Sequence, residues 1–259
     1  MSEPSGQFDR ASDEAVTLAF LAGGEGSRMG MPKGLLSIHG EPILSYLLRQ
    51  IAWPGPTMLV SAPGREHPPG WEKFLIEVTD PEAQGPLRGV LTALENLITP
   101  LVVVTTVDMP GVRMEQLRWV IDQFAKQPRI FGMMCQRLFA RALNSPSPGT
   151  PGEGRGGGCV ERSSDGADPL PNPPPEYRGR ENTLAPASVI EPFPSIYRRD
   201  ALDEIARRLA SSRRSVHGLL ESASFAAAIA PLEWEPRVWM NLNRPEDLDA
   251  YLKSIDAAG

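Results

Sequence analysis

The stretch Leu21-Ala22-Gly23-Gly24-Glu25-Gly26-Ser27-Arg28-Met29-Gly30-Met31-Pro32-Lys33 decides how this chain is read. It leaves an apolar, β-prone segment, Val16 to Leu21, and precedes an amphipathic segment that starts near Glu41. A glycine-rich turn at the end of a strand exposes backbone N–H groups with no side chains in the way, and such groups cradle phosphate oxygens. Leu21, Ala22, Gly23 and Gly24 build that turn. Arg28 and Lys33 add fixed positive charge beside the same phosphates. The pattern implies a nucleoside triphosphate handled as an electrophile. The plainer alternative is a glycine-rich turn with two solvated cations, against which several independent positions match at once.

Two commoner phosphate motifs fail. A P-loop needs Gly-x-x-x-x-Gly-Lys-Ser/Thr, but Lys33 is followed by Gly34, so no hydroxyl stands ready for a metal. The dinucleotide fingerprint Gly-x-Gly-x-x-Gly starts at Gly24 and Gly26, then meets Met29, and its glycine comes one residue late at Gly30. What remains, Leu-Ala-Gly-Gly-x-x-x-Arg-Met-Gly-x-Pro-Lys, resembles the signature of nucleotidyltransferases with a Rossmann-like fold.

Periodicity extends the reading outward. Val16 to Leu21, Thr57 to Ala62, Leu75 to Thr79 and Leu101 to Val107 read as strands, the last being the most β-rich run, stopped by Asp108-Met109-Pro110. Helical spacing of apolar residues predicts helices over Glu41 to Ala52, Pro86 to Ile98 and Met114 to Ala125. Arg129 to Arg137 reads as a further strand. After Ala187 to Arg198, Asp200 is a candidate N-cap for a helix through Ser211. Val216 to Glu221 reads as a short helix, Phe225 to Ala230 and Arg237 to Met240 as strands, and Pro245 to Ile255 as a final helix. Strands alternating with helices imply an α/β fold with a parallel sheet and helices on both faces. Ligands of such sheets bind beyond the strand carboxyl ends. The glycine loop, Asp80 and Asp108 all fall there, so topology alone puts them in one crevice.

From Asn144 to about Thr183 the chain is dominated by Pro, Gly, Ser and charge. It has too few apolar residues to offset ordering entropy and reads as a disordered surface insertion. The expected organisation is a flexible tail over 1–14 and a single domain over 15–255 interrupted at about 144–183. A linker between two domains is the alternative. The 259 residues suffice for one large core. A formal charge of −6 argues against coating nucleic acid. Cys135 and Cys159 have the spacing of neither a zinc site nor a disulfide framework, and read as free thiols of a reducing compartment. The start of the chain lacks the pattern of a signal peptide, and no run has membrane-spanning length. A cytoplasmic protein is expected, with no nucleic-acid or membrane partner.

Three sets of residues carry chemistry besides the glycine loop. Asp108 offers a hard oxygen ligand of the kind Mg²⁺ prefers, with triphosphate oxygens and waters completing the shell; a turn or cap aspartate is the alternative. Asp80 precedes Gly85-Pro86-Leu87-Arg88-Gly89, a run suited to a tight helix entry facing a ligand. Its carboxylate could accept a hydrogen bond from a guanine N–H. In Asn241-Leu242-Asn243-Arg244-Pro245-Glu246-Asp247-Leu248, strand alternation would send both asparagine amides to one side, suited to a heteroaromatic edge such as a pterin. Asn243 could instead only cap the helix that begins at Pro245.

Taken in order, these motifs resemble the molybdenum cofactor guanylyltransferases from about Val16 to Leu252, the insertion excepted. Gly85 to Gly89 together with Asn241 to Leu248 is the specific part of that likeness. The resemblance implies a three-layer, mostly parallel nucleotidyltransferase fold. It implies that Leu21, Gly23 and Gly24 contact the nucleotide, with Ala22 and Gly85 in the same binding surface. Lys33 and Arg28 would meet the phosphates, Asp80 the guanine or ribose, Asp108 the Mg²⁺, and Asn241 and Asn243 the molybdopterin. The implied catalytic groups are Lys33, Arg28 and Asp108. The implied substrates are GTP and molybdopterin, with transient contact to molybdenum-insertion proteins or recipient molybdoenzymes. The chain departs from the family at Pro32, where an acid is common and which resembles cytidylyltransferase relatives, and at Ser61-Ala62, where Asn-Arg is common. Rival readings are a CTP-dependent cytidylyltransferase, a sugar-phosphate nucleotidyltransferase, and a non-catalytic nucleotide- or cofactor-binding delivery module.

Overall fold

Every residue of strand β1 (Val16–Leu21) is buried, as a strand without charge and apolar on both sides requires when both sheet faces are covered. The structure, a computed structural model, describes residues 15–23, 29–64, 66–82, 84–139 and 188–257. The expected tail over 1–14, the insertion at about 144–183, Gly24 and Arg28 lie outside the described residues.

After β1, a two-residue ladder pairs β2 (Ser37–Ile38) with β3 (Glu41–Pro42) and leads into helix α1 (Ile43–Ile51). The expected helix start at Glu41 is therefore corrected: Glu41 is taken by that ladder, and Pro42 sits in extended backbone before the first turn. Strands β4 (Thr57–Ser61) and β5 (Ile76–Thr79) follow, then helix α2 (Pro86–Glu95), strand β6 (Leu101–Thr106), helix α3 (Met114–Ala125) and strand β7 (Gly132–Leu138). The chain resumes with β8 (Ser188–Arg198), helix α4 (Leu202–Ala210), strand β9 (Phe225–Ile229) and helix α5 (Pro245–Asp256).

The main sheet has seven strands in the order β5-β4-β1-β6-β8-β7-β9. All neighbours are parallel except β8, which runs antiparallel to both β6 and β7. The sheet is thus mostly parallel, as expected, with β8 its one antiparallel member. Being antiparallel, β7 and β8 do not need a crossover between them. Leu138 is the register partner of Ser188, which brings the two ends of the intervening chain side by side.

Two further expectations change. Arg237 to Met240 is not a strand but a single tight turn over Pro236–Trp239, with Pro236 in its first position. The turn seats Trp239 against Trp234, ring centres 5.5 Å apart, and Trp234 edge-on to Trp119 of α3 at 5.1 Å. Asp200 is not a cap: it lies inside a short turn, Arg199–Ala201, that runs directly into α4.

Helices cover the sheet from two sides. Gly89 of α2 approaches the Leu21 side chain so closely that a Cβ would sit 3.2 Å from its Cδ2, and α2 packs on α4. Elsewhere α1 and α5 meet through the hydroxyls of Tyr46 and Tyr251, 2.9 Å apart. The core between these layers includes Leu18, Phe20, Leu44, Leu47, Met58, Leu59 and Val103, all fully buried. No helix among the described residues is long and apolar enough to cross a membrane.

Candidate active site

Register levels the strand ends that matter. Leu21 pairs with Val60 on one side and Thr106 on the other, and Ser61 pairs with Thr79. The carboxyl ends of β1, β4, β5 and β6 therefore open on one rim. The chain proceeds from β1 outward to β4 and β5, then returns across to β6, so the reversal falls between β1 and β6. That is where an open α/β sheet leaves a crevice. A cavity of about 560 Å³ lies there, and Leu21, Gly23, Lys33, Asp80, Gly85, Asp108 and Asn241 all line it. Ala22 is buried beneath the rim, its N–H bonded to the Val60 carbonyl at 2.8 Å.

Lys33 is the meeting point of three motifs. Its ammonium is hydrogen-bonded to Asp108 Oδ2, and it donates to Asn243 Oδ1 at 2.7 Å. The side chains of Lys33 and Asp108 are only 16 and 12 % exposed, so the pair is largely shielded from water. Lys33 itself opens a short turn, Lys33–Leu35, that brings the end of the glycine loop back over the rim.

Asp108 is fixed from several sides. The Leu242 N–H donates to the Asp108 carbonyl at 2.8 Å, tying the Asn-Leu-Asn segment to the Asp-Met-Pro turn. The Pro110 carbonyl accepts from the Tyr251 hydroxyl at 2.8 Å and from Arg113 Nη1 at 2.6 Å. With its proton given to Pro110, Tyr251 receives the Tyr46 hydroxyl. Burial, and then the bond from Tyr46, push the Tyr251 phenol up to about 12. Gly111 lies so close to the Arg237 backbone that a Cβ would be 1.9 Å from the carbonyl oxygen. Only glycine allows that approach.

The two asparagines differ from the expectation. With no strand before them, alternation does not orient them. Asn241 reaches the cavity while its amide nitrogen donates to the Trp239 carbonyl at 3.3 Å. Asn243 turns its amide oxygen to Lys33, and it does not cap α5. That work falls to Asp247, whose Oδ2 accepts from the N–H groups of Asn243 and Arg244 at 3.0 and 2.8 Å.

At the other end of the cavity Asp80 is buried and accepts the Glu82 N–H at 3.0 Å on Oδ1. Gly85 enters α2 with φ of +95°, a conformation glycine adopts without strain. Pro86 follows in the first turn, where its missing N–H costs nothing. Sequence reasoning missed Arg88, whose Nε lies 3.6 Å from Asp80 Oδ1. It also missed Pro192 and Phe193 of β8, which line the cavity. The signal for Arg88 was its place inside Gly-Pro-Leu-x-Gly; no signal pointed to β8.

For a cation, the described residues hold no group of three or more His, Cys, Asp or Glu side chains. Asp108 supplies a hard anionic oxygen at the rim, already drawn to the Lys33 ammonium. Such a donor set suits Mg²⁺ bound chiefly through substrate phosphates and water.

Comparison with known proteins bears on the family and the fold. The family model of the MobA-like NTP transferase domain matches residues 18–227. The molybdenum cofactor guanylyltransferase of Methylibium petroleiphilum is 38% identical over 101 residues, covering 38% of this chain and 49% of the relative. The chain spans about half the length of the curated relatives it matches. Among solved structures, the molybdopterin-guanine dinucleotide biosynthesis protein A of Archaeoglobus fulgidus superposes with a TM-score of 0.63 at 18% identity, covering 93% of this chain and 99% of that one. The 2-C-methyl-D-erythritol 4-phosphate cytidylyltransferase of Thermus thermophilus gives 0.58 at 16% identity, covering 92% and 98%. These likenesses are of fold; the family match, over most of the chain, makes it a member of the MobA-like NTP transferase domain family.

Proposed function

We propose that the chain transfers GMP from GTP to the terminal phosphate of molybdopterin, in a cytoplasmic step of molybdenum cofactor biosynthesis. The observation that carries this reading is the convergence of Lys33, Asp108 and Asn243 at one edge of a cavity that Asp80 and Gly85 line elsewhere. A phosphate oxygen of molybdopterin attacks the α-phosphorus of GTP. A new P–O–P linkage forms, the bond from the α-phosphorus to its bridging oxygen breaks, and pyrophosphate leaves with the electron pair. The attacking group is already an anion, so the protein supplies no nucleophile. Its work is positioning and charge neutralisation. Leu21, Gly23 and, by resemblance, Gly24 receive the nucleotide. Lys33 and Arg28 offset the charge that develops on pyrophosphate. Asp108 would hold Mg²⁺, which when bound would supply charge neutralisation to the phosphates. The product cofactor then passes to molybdenum-insertion proteins or recipient molybdoenzymes.

A second reading has CTP as donor, and the observation favouring it is that Ser61 and Ala62 line the cavity where the resemblance leads one to expect Asn-Arg. Pyrophosphate release with molybdopterin and Mg²⁺, compared between GTP and CTP, tests both. Preference for GTP supports the guanylyltransferase; preference for CTP moves the base and keeps the chemistry. Nucleotide binding without release with either overturns both in favour of a binding module.

A further inference from the structure

Arg88 is nine-tenths buried on α2 and serves two carboxylates. Its Nη1 and Nη2 donate to the two oxygens of Glu95 at 3.4 and 3.1 Å, a fork-on-fork arrangement. This fixes the guanidinium plane from the far end of the helix. The third nitrogen, Nε, lies 3.6 Å from Asp80 Oδ1, the same oxygen that accepts the Glu82 N–H. Nε has no hydrogen-bond partner within normal distance. A buried donor without one is costly, so the guanidinium has reason to hold the carboxylate near. Asp80 lines the cavity; Arg88 and Glu95 do not.

We infer that Arg88, braced by Glu95, is the positioning residue that sets the Asp80 carboxylate for selection of the nucleotide base. The inference rests on the proposed nucleotidyltransfer and names the source of its base preference. A carboxylate only accepts hydrogen bonds. The guanine edge offers two adjacent donors, N1–H and the N2 amino group, whereas the corresponding cytosine edge offers one donor beside two acceptors. A carboxylate held in a fixed plane therefore favours guanine, and one free to rotate discriminates less. Arg88 restrains the carboxylate from outside the cavity through its ion pair to Oδ1 at 3.6 Å. It also offsets the negative charge of Asp80 toward an incoming triphosphate, which affects every nucleotide alike. Base selection and general affinity can thus be separated by measurement. Lysine at this position would keep the charge but cannot span the Glu95 fork and the Asp80 oxygen together.

The test is calorimetric binding of GTP and of CTP to the full chain with Mg²⁺, in the wild type, Arg88→Lys and Glu95→Gln, with thermal melts alongside. Glu95 is partly exposed, so its variant keeps the test sound if Arg88→Lys does not fold. The expected result is a GTP-over-CTP affinity ratio that drops roughly tenfold in Arg88→Lys and about threefold in Glu95→Gln, mainly through weaker GTP binding. A merely structural role would lower both affinities by one factor and leave the ratio alone; that outcome, or an unchanged ratio in Glu95→Gln with lysine at 88 unfolded, overturns the inference. Wild-type chain that binds neither nucleotide overturns the proposed function and this inference with it. A wild-type GTP preference that survives both substitutions overturns this inference alone.

Discussion

The ammonium of Lys33 rests 2.7 Å from the amide oxygen of Asn243, a residue 210 positions away in the chain. The contact joins the end of the glycine loop to the segment before the last helix, with Asp108 of the central turn on the same ammonium. Removing Asn243 leaves Lys33 charged but less well aimed. In Asn243→Ala, turnover in pyrophosphate release should fall roughly tenfold to a hundredfold, with a small change in nucleotide affinity. Lys33→Ala should lose more, on the order of a hundredfold or beyond in kcat, because the charge itself is gone. An effect confined to KM in both variants would remove Lys33 from the chemical step.

Among the described residues, Asp108 is the carboxylate that stands beside Lys33 at this rim, so its replacement leaves no substitute ligand next to that ammonium. Asp108→Asn keeps the shape and should abolish Mg²⁺-dependent turnover, and it should also lower the melting temperature, since the shielded Lys33 ammonium loses its carboxylate. A titration of activity against Mg²⁺ is the direct measurement. Retention of most activity at ordinary Mg²⁺ would mean that the metal is held elsewhere.

Gly111 tests how firmly the Asp-Met-Pro turn must be seated. A methyl group at that position meets the backbone of Arg237, which cannot rotate away as a side chain would. Gly111→Ala should cost about 2 kcal/mol or more, a fall of roughly 4–8 °C in Tm for a chain of this size. Activity at low temperature should also drop, since Asp108 stands three residues earlier.

The tyrosine pair gives a pH dependence with a definite sign. The folded-state Tyr251 phenol is raised by burial, and then by the Tyr46 bond, from 10.0 to about 12. The folded chain thus holds a proton that the unfolded chain releases first. Its contribution to stability is complete below about pH 10 and is lost as the pH climbs through about 12. Fully buried Tyr197 is shifted upward as well, by burial. In Tyr251→Phe the alkaline loss of stability should therefore become shallower without vanishing. At neutral pH the same variant should be less stable by about 1 kcal/mol, from the lost bond to Pro110. Chemical denaturation at a series of pH values measures both effects.

Much of this architecture was legible because its signals are local and repeated. Strand β1 and helix α3 have periodicities that admit a single reading, and the strand ends at Leu21 and Thr79 were set by the Gly and Asp residues that follow them, while the end read at Val107 falls one residue earlier, at Thr106. Arg237 to Met240 misled because Val238 and Met240 alternate as in a strand, while Pro236 fits equally well in the first position of a tight turn. The tryptophan cluster with Trp119 and Trp234 decides between them, and that is a tertiary contact no local pattern contains. The reversed direction of β8 was hidden for a related reason: direction depends on the connection before it, and that stretch has no periodicity. Within the site, the residue types were readable from their motifs, but their partners were not. That Asn243 faces Lys33, and that Arg88 braces Asp80, depends on which elements the sheet order sets side by side.

The adjacency of Leu138 and Ser188 in neighbouring strands has a bearing on how such a chain can change over generations. Two ends already paired in a ladder form a port: the entropy of joining them grows only with the logarithm of the number of residues between. Lengthening or shortening the connection therefore costs the strand register little, although Pro192 and Phe193, which line the cavity, lie only a few residues beyond Ser188. At this ladder end new sequence can be accepted and tried at little entropic cost to the strands that flank it.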